Sequence, residues 1–273
     1  MSHVSIFNLN LLICYAAFSC AKKSESPTSF HLPQVISITK SDSLRLFEAN
    51  SIMEQSAFML GVFGFTDTLD FIRHKPFPLL QLPEDQYDKS TWDSLPSYGL
   101  EMYPDYQKDV FWPVALRNGN GTCFYLVFIA NNTTGIKSFF GTDSYAFAIQ
   151  EAQDSSGHWY PIEMSGIYWG CSRWCIQMET KTFAVLLLPK YNGDFKTKLR
   201  VRLRNGDQTY VSQSFEGMID HQQFKMHPNA YFWLKRYALL DISDQFFFGA
   251  LPREARDAEA FEAKIKNASG HLE

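Results

Sequence analysis

No apolar run in this 273-residue chain is long enough to cross a bilayer, which takes about 20 mainly apolar residues. The run at residues 6–19 is short and broken by Asn8 and Asn10, and the run ending at Leu186, Leu187 and Leu188 is stopped by Pro189 at strand length. A membrane-spanning helix is therefore not expected. Charge of either sign is also scarce: 25 Lys and Arg stand against 29 Asp and Glu, a net charge of −4, which gives no general attraction for nucleic acid. Cysteines number five and histidines seven, with no second cysteine pair and no histidine beside Cys171 and Cys175 to complete a zinc set. Neither a His-Glu-x-x-His nor a Gly-x-Ser-x-Gly sequence occurs, and no repeat at solenoid spacing is found. These absences leave no residue with a claim to be catalytic, no metal site and no cofactor to assign.

Aromatic residues are abundant instead, with 24 Phe, 13 Tyr and 6 Trp, and they suit pleated, half-buried surfaces better than a helical bundle. From Val110 the chain carries short apolar runs bounded by turn residues. Residues 123–129 precede Asn131-Asn132-Thr133-Thr134-Gly135, and residues 145–149 precede Asp154-Ser155-Ser156-Gly157. Residues 159–162 and 183–188 follow. Residues 197–204 then alternate strictly, Asn205-Gly206 is read as the turn, and residues 209–212 return as a hairpin. Leu199, Val201 and Leu203 are expected to face inward and Lys198, Arg200, Arg202 and Arg204 outward. The pattern predicts a mainly β fold, and over residues 110–220 it resembles an antiparallel immunoglobulin-like β-sandwich.

The sequence Ala17-Phe18-Ser19-Cys20, closing an apolar run and followed by Ala21-Lys22-Lys23, resembles the lipobox of a bacterial lipoprotein, most like those of Bacteroidota. The resemblance implies that residues 1–19 are a signal peptide and that Cys20 carries a diacylglycerol, with a further acyl chain such as palmitate on its amino group. It also implies a membrane partner through that lipid, and a place in the bacterial cell envelope, on the outer membrane. Residues 20–34, rich in Ser, Thr and Pro, read as a flexible tether. Residues 35–109 read as a mixed, loop-rich N-terminal region: Leu44, Phe47, Ile52 and Phe58 mark one face of a helix starting near Ser43, residues 62–65 suggest a strand, and Pro76, Pro78, Pro83, Pro96 and Pro104 preclude long elements between. Residues 221–273 form a C-terminal extension. In it, residues 231–234 and 245–248 read as strand-like or buried, and residues 252–265 as a helix packing Phe261 and Ile265.

Three groups of residues are candidates for chemistry. With Cys14 in the signal and Cys20 lipidated, Cys123, Cys171 and Cys175 remain. Cys171 and Cys175 are expected to pair as a disulfide, with Cys123 a small buried hydrophobe; a soft-metal reading would add Met178. Lys198, Arg200, Arg202 and Arg204 form a cationic face that is either a solvated sheet surface or a binding surface for an acidic glycan. Glu163, Glu179 and Asp194 are carboxylates that could pair across a cleft, and His221 and His227 read as surface or capping residues. Asp42-Ser43-Leu44, Asp67-Thr68-Leu69 and Asp93-Ser94-Leu95 resemble O-glycosylation acceptors. The function expected is that of a lipid-anchored structural or ligand-binding module with an envelope protein or glycan as partner. The alternative is a surface lipoprotein that binds or processes glycans.

Overall fold

The computed structural model describes residues 29–36, 46–55, 57–71, 73–74, 76, 96–111, 123–166 and 173–268. The chain folds mainly as antiparallel β-sheet with helices at its C-terminal end. Sixteen strands are described: β1 (Gln34–Ile36), β2 (Met53–Gln55), β3 (Ala57–Gly64), β4 (Thr68–Asp70), β5 (Glu101–Phe111), β6 (Cys123–Asn131), β7 (Lys137–Thr142), β8 (Tyr145–Ala146), β9 (Ala148–Gln153), β10 (Trp159–Pro161), β11 (Glu163–Ser165), β12 (Arg173–Met178), β13 (Thr182–Pro189), β14 (Phe195–Asn205), β15 (Gln208–Val211) and β16 (Phe215–Ile219). A seven-stranded sheet runs β12-β7-β8-β3-β13-β6-β5. A five-stranded sheet runs β10-β9-β14-β15, with β16 also paired to β14.

Two adjacent interior strands of the larger sheet, β6 and β13, are buried along their whole length. Alternation explains how: Tyr125, Val127, Ile129, Ala184, Leu186 and Leu188 share a core with Val201 and Leu203 of the smaller sheet, while Phe124, Leu126, Phe128, Phe183, Val185 and Leu187 face the other way. That second face is covered by Phe30, Val35, Leu69 and Val110, with the Phe30 ring within 5.3 Å of Phe65, Tyr103 and Phe183. A strand covered on both faces reads as a continuous apolar run, which is why these two stood out in the sequence. β14 is wet on one face and keeps the predicted alternation, with Leu199, Val201 and Leu203 all inside.

Four local readings change. Residues from Ser29 onward are docked on the sheet rather than continuing a tether, because Phe30 is only 6% exposed. The helix expected around Phe47, Ile52 and Phe58 is extended chain: Phe47 bridges to Tyr191, Ile52 to Met226, and Phe58 sits in β3, which is inserted between β8 and β13. The boundary drawn at residue 110 falls inside β5, so both sides of it build one sheet. The turn of the hairpin is Gly206-Asp207, one residue later than read, with Gly206 at φ +62° and Asn205 paired to Gln208 inside the ladder.

The aromatic runs of the extension are helical, not strand-like. Helix α1 (Pro228–Leu234) begins with His227, whose Nδ1 accepts from Asn229 N, and Pro228 in the first turn. Helix α2 (Leu239–Phe247) spaces Leu239, Ile242 and Phe246 along one face, and it ends where Phe248 and Gly249 adopt φ of 52° and 87°. Helix α3 (Ala258–Asn267), capped by Asp257, buries Phe261 and Ile265 as expected. All three pack with Ile52, Ile149 and Met164 into a second core beside the smaller sheet. No helix among the described residues is long and apolar enough to cross a membrane.

Candidate functional site

Five separated segments meet around a cleft of about 720 Å³: residues 48–54, Met164, Asn192 with Gly193, Asp220, and residues 227–230. The first is held at both ends by isolated bridges, Phe47 to Tyr191 and Ile52 to Met226. β2 then continues it alongside β11, with Glu54 opposite Met164. Gly193 permits the close approach of the chain to Ile219, since a Cβ there would lie 1.9 Å from the Ile219 carbonyl carbon.

Among the described residues the ionisable groups of the lining are Glu48, Glu54, Asp220 and His227, with neither Lys nor Arg. Two of the four have local work: the Asp220 carboxylate accepts from Gln222 N at 2.7 Å in a capping box, and His227 caps α1. Glu48 and Glu54 are exposed. Asn50, Ser51, Asn192 and Asn229 add groups that both donate and accept. Such a lining suits recognition of a cationic or hydroxyl-bearing ligand. Among the described residues no group of three or more His, Cys, Asp or Glu side chains is placed to hold a metal ion.

Of the residues singled out in the sequence as candidates for chemistry, His227 lines the cleft, and the other described ones do not. Cys20 and Cys171 are outside the described residues, as are Asp42-Ser43-Leu44 and Asp93-Ser94-Leu95. Cys175 and Cys123 are buried free thiols, and burial pushes both up, Cys123 to about 11. Cys175 sits in the extended strand β12, so its expected bridge to Cys171 has only one end in view. Met178 is three residues further along that strand and so on the opposite face, packed in the core, which separates the soft ligands. Glu179 and Asp194 are exposed and line no part of the cleft; Thr68 is exposed on β4. His221 stacks edge-on against Phe195 and Phe224.

The cationic ribbon is largely engaged within the fold. Arg200 Nε lies 2.7 Å from Glu151 Oε2 and its guanidinium 4.2 Å over the Trp159 ring. Arg202 Nε is 3.2 Å from the same oxygen, without hydrogen-bond alignment, and its Nη1 donates to Phe248 O. Arg204 pairs with Asp244 of α2. Only Lys198 is fully turned to solvent. Glu151 is 1% exposed, so Glu151→Ala leaves two guanidinium groups without their anion. Discounted for their partial exposure, the expected loss of stability is about 2–3 kcal/mol, read by denaturant unfolding.

Nothing in the sequence marked the acidic cleft, because its carboxylates come from an irregular stretch and a turn with no motif of their own. Comparison of the chain with family models, curated proteins and solved structures finds no match.

Proposed function

We propose that this is a lipid-anchored cell-envelope protein whose β framework presents the acidic cleft to a positively charged ligand. The lipobox-like sequence at Cys20 supports the anchor. The nine residues from Cys20 to Ser29 span at most roughly 30 Å, which would keep the folded part near the outer-membrane surface. The observation that carries the binding role is the cleft itself: concave, and lined by Glu48, Glu54 and Asp220 with no Lys or Arg among the described residues. In a recess the carboxylates' field is focused, which favours a ligand bearing amine or guanidinium groups. The three asparagines also support a glycan ligand, but among the described residues no aromatic side chain lines the cleft to stack on a sugar ring.

Calorimetric titration of the purified chain with spermidine and an oligolysine peptide, against neutral and acidic oligosaccharides, tests the reading. Saturable, salt-sensitive binding of the cations is expected, weakened about five- to tenfold by combined Glu48→Gln and Glu54→Gln, since each tenfold is about 1.4 kcal/mol. Binding of the neutral oligosaccharide alone would replace it with the glycan reading.

A further inference from the structure

Behind the cleft wall lies a carboxyl group without a cation. Glu163 is 1% exposed. Its hydrogen bonds come from Gln150 N to Oε2 at 2.7 Å, Gln150 Nε2 to Oε1 at 2.8 Å and the Tyr191 hydroxyl to Oε1 at 2.6 Å. Gln150 Nε2 also donates to Pro189 O at 2.9 Å, and its Oε1 accepts from the Tyr125 hydroxyl at 2.9 Å. One polar knot thus joins β6, β9, β11, the end of β13 and Tyr191.

Two of the strips it holds, β11 and the chain at Tyr191, border the cleft. Met164 follows Glu163, Asn192 and Gly193 follow Tyr191, and Tyr191 bridges to Phe47, which precedes Glu48 and Ala49. β11 and β2 are joined by only three residue pairs, and Glu163 ties β11 to Gln150 of β9.

The charged groups on neighbouring elements are accounted for. Glu151 on β9 pairs with Arg200 and Arg202, and Lys190 beside Tyr191 pairs with Asp109. Glu54 on β2 is exposed, as are Asp241 and Asp244 on α2, which packs against β11. The phenols of Tyr125 and Tyr191 are pushed well up by burial and stay protonated. Among the described residues Glu163 therefore has no ion-pair partner.

We propose that Glu163 is a proton-operated latch on the cleft: with its proton in place, the contact with Tyr191 holds β11, β2 and residues 191–193 as one wall, and loss of the proton loosens that wall. The inference rests on the cleft being the binding site, but the latch operates without ligand. Three donors favour the carboxylate while burial opposes it, and burial prevails, pushing Glu163 from its ordinary 4.5 up to about 7. Once protonated, the carboxyl must also donate. The backbone N–H of Gln150 cannot accept, whereas the Tyr191 hydroxyl can by rotating, so the proton reverses the Glu163–Tyr191 bond.

The sign follows. The unfolded chain releases this proton near pH 4.5 and the folded chain near 7. The protonated group's contribution is full below pH 4.5 and is lost as pH rises to about 7.

Hydrogen exchange of the full chain and of Glu163→Gln, as protection factors at pH 5.5, 7 and 8.5, tests the latch. Protection in residues 53–55, 163–165 and 191–193 should fall about tenfold across this range in the wild type, for a change of about 1.4 kcal/mol, and stay level in Glu163→Gln. The same pH profile in both proteins would overturn the latch. Should Glu163→Gln fail to fold, carbon NMR titration of the Glu163 carboxyl in the wild type decides: a midpoint near 7 supports the proposal and one below 5 overturns it. Spermidine added to the exchange experiment separates the two readings. A rim that responds to pH but not to spermidine keeps the latch and sinks cation binding; a rim protected by spermidine but indifferent to pH does the reverse.

Discussion

Cys20→Ala should move the protein from the membrane to the soluble fraction and abolish its labelling with a fatty acid. The thiol is the atom that takes the diacylglycerol in the lipobox reading, so alanine removes both the attachment point and the cleavage signal. Each buried methylene of an acyl chain contributes roughly 0.8 kcal/mol, and two or three chains make the anchor effectively permanent. No described helix is long and apolar enough to be a span, and the apolar run at residues 6–19 falls short of one in length. Fractionation with metabolic labelling reads the result. A mutant that stayed on the membrane, with a wild type that took up no label, would remove the anchor from the proposed function and leave the cleft unaffected.

Asn205→Ala should cost roughly 3–4 kcal/mol of stability. Asn205 has no exposed surface. Its Oδ1 accepts from Phe140 N at 2.9 Å, and its Nδ2 donates to Ser138 O at 2.8 Å and to Ser97 O at 3.3 Å. These bonds tie β14 of the smaller sheet to β7 of the larger one. Alanine would leave a buried N–H and a buried carbonyl unpaired, each costing about 1–3 kcal/mol. A turn-forming asparagine at an exposed hairpin tip would lose only a few tenths on the same change, so denaturant unfolding separates the two roles.

That residue shows where sequence reading stopped. Asn-Gly between alternating runs is a strong turn signal, and the hairpin is there. The asparagine, however, was needed for a contact across the two sheets, and sheet-to-sheet contacts leave no periodic trace. The strands at 123–131 and 182–189 were legible because burial on both faces makes them apolar throughout, and the helix at Phe261 and Ile265 because its apolar positions are four apart. Residues 231–234 and 245–248 were misread because four apolar residues fit a strand and a buried helix turn equally well; Pro228 and the left-handed Phe248-Gly249 ending decide for helix. β3 was read within a mixed, loop-rich region because its place between β8 and β13 is a matter of long-range pairing. The cleft was the least legible part. Its lining joins residues as far apart as Glu48 and Ala230, and Glu163, one of several carboxylates in the sequence, is distinguished only by the Gln150 and Tyr191 side chains around it.

The most direct test of the central claim is NMR shift mapping of the full chain titrated with the oligolysine peptide. Saturable shifts confined to residues 48–54, 164, 192–193, 220 and 227–230 are the expected result. Shifts spread over other carboxylates such as Glu179, Asp194 and Glu216, with the cleft residues unmoved, would contradict the assignment of the acidic cleft as the binding site.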